Sequence, residues 1–206
     1  MDDSETMAGL NGFLDALAAR NATPGGGAVA AAGGALACAL ARMVAAYSKS
    51  NKADPHAQRI VVESAEQLER ADALLRGLLL EDMRAYDALT EATRRARDDA
   101  SAKPDHQAAL MVAAMVPMEV AATACESLAI VERLQPAASR HLVSDLGVAS
   151  VLAEATVRAA SYMVYVNAYA LDDPEIRQKV NHEIDQLLVR ARDSLTRIEF
   201  RLRDRF

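Results

Sequence analysis

The sequence predicts an all-α protein, an up-and-down bundle of five or six helices, several of them long. Alanine, the strongest helix former, fills 44 of the 206 positions. Apolar residues recur three and four apart through most of the chain, the spacing of one helix face. Five of the six prolines and the cluster Gly25-Gly26-Gly27 stand at the ends of these periodic stretches or between them. Nothing reads as a strand, a linker or an internal repeat, so the expectation is one helical domain over residues 1–206.

Met7, Leu10, Leu14 and Leu17 set a first helix over about Ser4 to Arg20, with Ser4 and Thr6 available as caps. The string Asn21-Ala22-Thr23-Pro24-Gly25-Gly26-Gly27 breaks it. A second helix, about Ala28 to Ser48, is almost all alanine with Gly33-Gly34 inside it. Each of those glycines costs about 1 kcal/mol relative to alanine. Small side chains over that length imply that another backbone packs closely, which makes this a central element.

Asp54-Pro55 is a cap followed by proline at the first helical position, and it opens a third helix of roughly 40 residues, bent near Gly77. Its apolar stripe reads Val61, Ala65, Leu68, Leu75, Leu79, Tyr86, Leu89. Pro104-Asp105 opens a fourth helix to about Leu134, kinked where Pro117 removes a backbone donor. Ser144-Asp145 caps a fifth, Leu146 to Leu171, whose only charges are Glu154 and Arg158. A helix that apolar is expected to be buried on nearly all sides. Asp173-Pro174-Glu175 opens a sixth to the end, with Val180, Ile184, Leu187, Leu188, Ala191, Leu195 and Ile198 inward.

Charge and composition exclude several classes. With 23 Lys+Arg against 29 Asp+Glu, a net charge of -6, 4% aromatics and no Trp, the chain lacks the basic face or stacking rings of a nucleic-acid binder. The uncharged run Gly25 to Ala41, 17 residues of mainly Ala and Gly, is too short and too weakly apolar to span a bilayer. Met1-Asp2-Asp3-Ser4-Glu5 is acidic where a targeting segment is basic. Cys38 and Cys125 lie in apolar runs without CxxC spacing, as buried thiols of a reducing compartment do. The expectation is a cytoplasmic protein. His56, His106, His141 and His182 show no ExxH, HExxH or zinc-finger spacing, so no metal site is expected.

Four features carry candidate chemistry. Gly25-x-Gly27-x-x-Ala30 fits a dinucleotide fingerprint formally, but a helix precedes it where a strand is required. A Gly-rich turn into a helix presents free amides that suit an anion or a carbonyl oxygen, or it simply connects two crowded helices. Asp82 interrupts the inward stripe of the third helix one turn before Tyr86, where lost hydration would raise its pKa toward proton-transfer range. The pattern alone also fits a solvated Asp82, and Asp72 lies on the same stripe. Asn167 stands among Val164, Tyr165, Val166 and Ala168 and must find partners, either a neighbouring helix or a ligand. Asp145 and Asn167 are about 33 Å apart along one continuous helix and cannot serve one site from one subunit. Arg190, Arg192, Arg197, Arg201, Arg203 and Arg205 read as a solvated helix end.

Six strings occur in order: Phe13-Leu14-Asp15-Ala16-Leu17, Thr23-Pro24-Gly25-Gly26-Gly27, Glu81-Asp82 through Tyr86, Val116-Pro117, Ser144-Asp145-Leu146-Gly147-Val148 and Tyr165-Val166-Asn167. In this the chain resembles the methenyltetrahydrofolate cyclohydrolases and the cyclodeaminase half of formiminotransferase-cyclodeaminase, over essentially its whole length. The resemblance implies an all-helical, dimeric, metal-free enzyme with no tightly bound cofactor and a pocket for a reduced folate. It implies Asp82 as general acid/base and Asp145 as a second catalytic group. It further implies Pro24, Gly25, Gly26, Gly27, Tyr86, Ser144 and Asn167 as substrate-binding residues, with Ser144 and Asp145 holding the pterin or orienting a water.

In the cyclohydrolase direction water opens 5,10-methenyltetrahydrofolate to the 10-formyl compound; in the cyclodeaminase direction a ring nitrogen attacks the formimino carbon and ammonia leaves. Both pass through a tetrahedral carbon and need a proton carrier. The hydrolase is favoured because no formiminotransferase half accompanies the chain. The chain departs from the family at Met163, where relatives place Asn, at His141, and in a shorter stretch between Arg97 and Pro117. A relative recruited to a non-folate amine or imine, and a non-catalytic helical interaction module, therefore stay open as alternatives. The small-residue face of the second helix and the separation of Asp145 from Asn167 both favour a two-fold homodimer.

Overall fold

The computed structural model describes residues 3–49 and 54–205. The Ser4 and Thr6 caps expected of the first helix lie outside the described side chains, as do Met1 and Asp2 of the acidic amino terminus. Six α-helices follow in order: α1 Asp3–Ala18, α2 Gly26–Ser48, α3 Pro55–Asp98, α4 Lys103–Leu134, α5 Val143–Tyr169 and α6 Pro174–Arg203. Short 3-10 turns stand at Ala100–Ala102, Gln135–Ala137 and Arg140–Leu142, and no strand occurs among the described residues.

Helices α2, α3, α4 and α5 form a ring of four in which chain neighbours pack together and α5 closes back onto α2. Helix α2 runs antiparallel to α3, as Gly27 against Asp82 and Gly34 against Leu75 fix, and antiparallel to α5, as Gly26 against Met163 and Gly33 against Thr156 fix. The α4–α5 pair is tied where Asn167 donates to the Ala113 carbonyl. α6 lies against α4 and α5. Its Val180, Ile184, Leu187, Ala191 and Ile198 are buried as the pattern requires, whereas Leu188 and Leu195 are only half-buried. Gly33 and Gly34 stand where α2 meets Thr156 and Leu75, which accounts for glycine in a helix interior.

The starts of α3 and α6 follow from local chemistry. Asp54 accepts the Ala57 N–H ahead of Pro55, and Asp173 accepts those of Glu175 and Ile176 ahead of Pro174. Helix α3 runs unbroken through Gly77 for 44 residues, and α4 carries Pro117 buried inside it. Cys38 and Cys125 are buried and free, and the Cys38 thiol hydrogen-bonds the Ser127 hydroxyl.

Five expectations need correction. Helix α1 packs only lightly on the bundle, and the stripe Met7, Leu10, Leu14 is about half exposed. Helix α5 starts at Val143 behind Leu142, so Ser144 and Asp145 occupy its first turn and cap nothing. Nor is α5 buried all round: Val148, Val151, Tyr162, Val166 and Tyr169 form an exposed stripe, since they sit on the side away from α4 and α6. The carboxyl-terminal arginines are partly engaged, with Arg197 and Arg201 on Glu132 and Arg205 on the carbonyls of Gln135 and Ala138. Lastly, α2 carries the apolar stretch beyond Arg42 to Ser48. As a result Gly26–Ser48 and Ala100–Ala137 are each long and apolar enough to cross a membrane by length and composition, with 56% of each apolar window buried inside the protein.

Candidate active site

The amino end of α2, the middle of α3, the early part of α4 and the late part of α5 meet at one end of the bundle. They enclose a cavity of about 320 Å³. Ala22, Thr23, Gly25, Gly26 and Gly27 form one wall, Asp82, Ala85, Tyr86 and Leu89 of α3 another, and Ala113, Met163, Val166 and Asn167 the rest. Gly25 is extended rather than left-handed, and the loop reaches it through a cis Thr23–Pro24 peptide. What the site demands of glycine is space: a Cβ on Gly27 would fall 1.9 Å from Asp82 Oδ1 and 2.4 Å from its Cγ.

Asp82 is held by α2 rather than by a cation. The Ala28 N–H, one of the unpaired donors of a helix start, hydrogen-bonds its carboxylate. Burial pushes the Asp82 pKa up, and the Ala28 bond draws it back part of the way. No Lys, Arg or His among the described residues pairs with it. Asp72 differs although it shares the stripe. It is 3% exposed and lies between two guanidinium groups, 2.8 Å from Arg42 and 2.7 Å from Arg76. The helical pattern could not separate the two carboxylates; the arginines do, since Asp72 is ion-paired on both oxygens and Asp82 faces its cavity without a cation.

Asn167 is tied on its amide nitrogen, which donates to the Ala113 carbonyl at 2.7 Å and to the Met163 carbonyl at 2.9 Å. The Met163 sulfur lies 3.3 Å from where a Cβ on Gly26 would stand, so its thioether covers that glycine. Among the three departures from family pattern, Met163 lines the cavity and His141 sits exposed in the Arg140–Leu142 turn at the other end of α5. The shortened stretch before Pro117 contributes Ala113.

The cavity thus brings together Gly25, Gly26, Gly27, Asp82, Tyr86 and Asn167 from the residues singled out in the sequence. Pro24 flanks the wall between Thr23 and Gly25 without lining it. Ser144 and Asp145 are not in this cavity, because α5 is unbroken from Val143 to Tyr169 and holds them at its far end. Ala22, Ala85, Ala113 and Val166 also line it and carry no sequence signal, since an alanine wall or a backbone carbonyl looks like any other helical alanine. No cluster of three or more His, Cys, Asp or Glu suited to a metal ion occurs among the described residues.

The family model described as formiminotransferase-cyclodeaminase matches residues 9–186, which includes every residue of this cavity. The chain belongs to that family. Within the family it is 32% identical to the methenyltetrahydrofolate cyclohydrolase of Methylorubrum extorquens over 87% of this chain and 88% of that protein. It is 30% identical to the mouse formimidoyltransferase-cyclodeaminase over 89% of this chain but 35% of that longer protein. Its fold matches the crystal structure of formiminotetrahydrofolate cyclodeaminase from Thermotoga maritima with a TM-score of 0.88 and 29% identity, over 95% of this chain and 96% of that one. The all-helical bundle is therefore the family fold, and the cavity is a feature of a formiminotransferase-cyclodeaminase family member.

Proposed function

We propose that the chain is a one-carbon folate enzyme that hydrolyses 5,10-methenyltetrahydrofolate to 10-formyltetrahydrofolate, with Asp82 as general acid/base. The observation that carries the reading is Asp82 itself. It is a half-buried carboxylate without a cation, wedged against Gly27 in a cavity that suits the ring system of a reduced folate. Likeness along nearly full length to a protein named methenyltetrahydrofolate cyclohydrolase supports the choice of reaction.

The methenyl carbon bridges two nitrogens and shares their positive charge, so the Asp82 carboxylate attracts the substrate electrostatically. Water adds to that carbon as Asp82 takes one of its protons. The resulting tetrahedral carbon then collapses: its bond to the ring nitrogen breaks, Asp82 returns the proton to that nitrogen, and the hydroxyl proton leaves to solvent as the formyl group forms. A carboxyl group with a raised pKa suits both halves of this cycle. The free amide hydrogens of Gly26 and Gly27 at the start of α2 offer donors to a ring oxygen, and the half-exposed Tyr86 ring offers a flat side to the pterin. Loss of the methenyl absorbance faster than in buffer alone tests the reading; equal rates with and without protein overturn it.

The cyclodeaminase reaction is the second reading, favoured by the match to the Thermotoga maritima enzyme. Release of ammonia from 5-formiminotetrahydrofolate separates the two.

A homodimer belongs to the same proposal. Helix α5 packs on α2; α5 exposes its apolar stripe, interrupted by Arg158, and α2 exposes Val29, Leu36 and Tyr47. Tyr47, Tyr162 and Tyr169 are 73%, 70% and 81% exposed. They alone present roughly 400 Å² of aromatic surface, against about 800 Å² that each partner buries in a standard interface. Ala155 and Ala159 lie midway along the α5 stripe, with Arg158, ion-paired to Glu154, between them. A two-fold axis crossing α5 there sets alanine on alanine, runs the two copies of α5 antiparallel, and carries the partner subunit's Ser144 and Asp145 to the level of Asn167.

A further inference from the structure

Asn167 has a fixed orientation, and that orientation has a chemical meaning for the cavity it lines. Both hydrogens of its amide nitrogen are used, one on the Ala113 carbonyl at 2.7 Å and one on the Met163 carbonyl at 2.9 Å. Turning the amide over would aim its oxygen at two carbonyl oxygens, with no donor between them. Oδ1 is left without a partner among the described residues, in a side chain that lines the cavity and is half-buried there. We infer that Asn167 is a specificity-determining residue whose Oδ1 accepts a hydrogen bond from a ring N–H of the substrate. This rests on the reading of the cavity as the folate site and goes beyond it by naming what one wall demands of the ligand.

The argument is one of donors and acceptors. Across the cavity the free α2 amides can only donate, and Asp82 changes between acceptor and donor with its proton. Asn167 adds an acceptor that neither titrates nor rotates, because two helices hold its nitrogen. A ligand that places an N–H there satisfies Oδ1. One that places an oxygen or a methyl group there leaves a desolvated acceptor unpaired, and a site built around a polar group rejects such ligands more strongly than an apolar wall would. Reduced pterins carry several N–H groups on one edge of the ring, so the class of ligand fits. A ring with carbonyl or ether groups on that edge does not.

The test uses 5-formyltetrahydrofolate, a stable reduced folate that carries the reduced pterin ring, and analogues of it with one ring N–H at a time replaced by N-methyl. Calorimetric titration of the wild-type protein should show that one analogue binds about tenfold more weakly than the parent. Asn167→Leu should bind the parent about tenfold more weakly and no longer distinguish it from that analogue. In Asn167→Asp the oxygen facing Ala113 and Met163 must carry a proton to donate, so affinity should be kept at low pH and lost as pH rises, a dependence that a packing role would not produce. Wild-type indifference to every analogue overturns the inference and needs no variant to fold. So does an Asn167→Leu protein that keeps the wild-type ratio. Failure of the wild type to bind the parent overturns the folate reading as well.

Discussion

A Cβ placed on Gly27 would stand 1.9 Å from the Asp82 carboxylate oxygen, so residue 27 is glycine because Asp82 occupies the space a side chain would need. The pair fastens the start of α2 to the middle of α3 and aims the carboxylate at the cavity.

Gly27→Ala should therefore act on Asp82. The methyl group forces the carboxylate to rotate away and give up the Ala28 N–H, at a cost of about 1–3 kcal/mol in stability. Turnover should fall about a hundredfold, since the proton carrier is displaced by about an ångström. A double-mutant cycle with Asp82→Ala checks the cause: with the carboxylate gone the clash is gone, and Gly27→Ala should then cost little in either measure. Additive effects would place the damage elsewhere.

Asp82→Asn keeps the volume and the acceptor for the Ala28 N–H but cannot carry a proton. Turnover should drop by about 10²- to 10⁴-fold. Its stability should move the other way. Burial raises the Asp82 pKa in the folded state, so the folded protein holds this proton to higher pH than the unfolded chain does. Between the unfolded and folded pKa values stability then falls as pH rises, and above the folded value the penalty is complete. Asp82→Asn should remove that slope and be the more stable protein at neutral pH, as denaturant titrations at several pH values would show. In the wild type, turnover should fall on the acid side through a pKa above the ordinary aspartate value.

Much of this arrangement was legible in the sequence. Asp54-Pro55 and Asp173-Pro174 are local instructions, read by the backbone without help from the rest of the chain, and they start α3 and α6 where expected. Gly25, Gly26, Gly27, Asp82, Tyr86 and Asn167 were singled out and meet at one cavity. The difference between Asp72 and Asp82 was not legible, because it depends on Arg42, 30 residues from Asp72 in sequence. The exposed faces of α1 and α5 were misread for a related reason. An apolar stripe says that a surface is unsuited to water and says nothing of what covers it.

Asp72→Asn should have the opposite profile to Asp82→Asn. It leaves Arg42 and Arg76 facing a neutral group at a site 3% exposed. A fully buried pair would cost more, but both arginines reach solvent, so the loss should be about 2 kcal/mol. In a chain of this size that lowers the melting temperature by about 4–8 °C. Turnover should stay at the wild-type level, since Asp72 lies about 15 Å along α3 from Asp82. A melting temperature left unchanged would show that the ion pairs contribute nothing net.

The remaining prediction concerns the two ends of α5. Ser144 and Asp145 sit at one end and Asn167 at the other, about 33 Å away on an unbroken helix. Tyr162→Glu puts a charge into the exposed apolar stripe and should yield a monomer in sedimentation at micromolar concentration, with the bundle intact because Tyr162 is 70% exposed. If the partner subunit's Asp145 completes the cavity, that monomer should also be inactive. Mixing settles whether the loss comes from the missing residue. Asp82→Asn and Asp145→Asn are each expected to be nearly inactive as homodimers. In a mixed dimer one cavity receives both substituted residues and the other receives both intact ones. Random re-association of equal amounts should therefore restore activity to about a quarter of wild type. Activity that stays at the level of the two separate variants would show that Asp145 does not act across the two-fold axis.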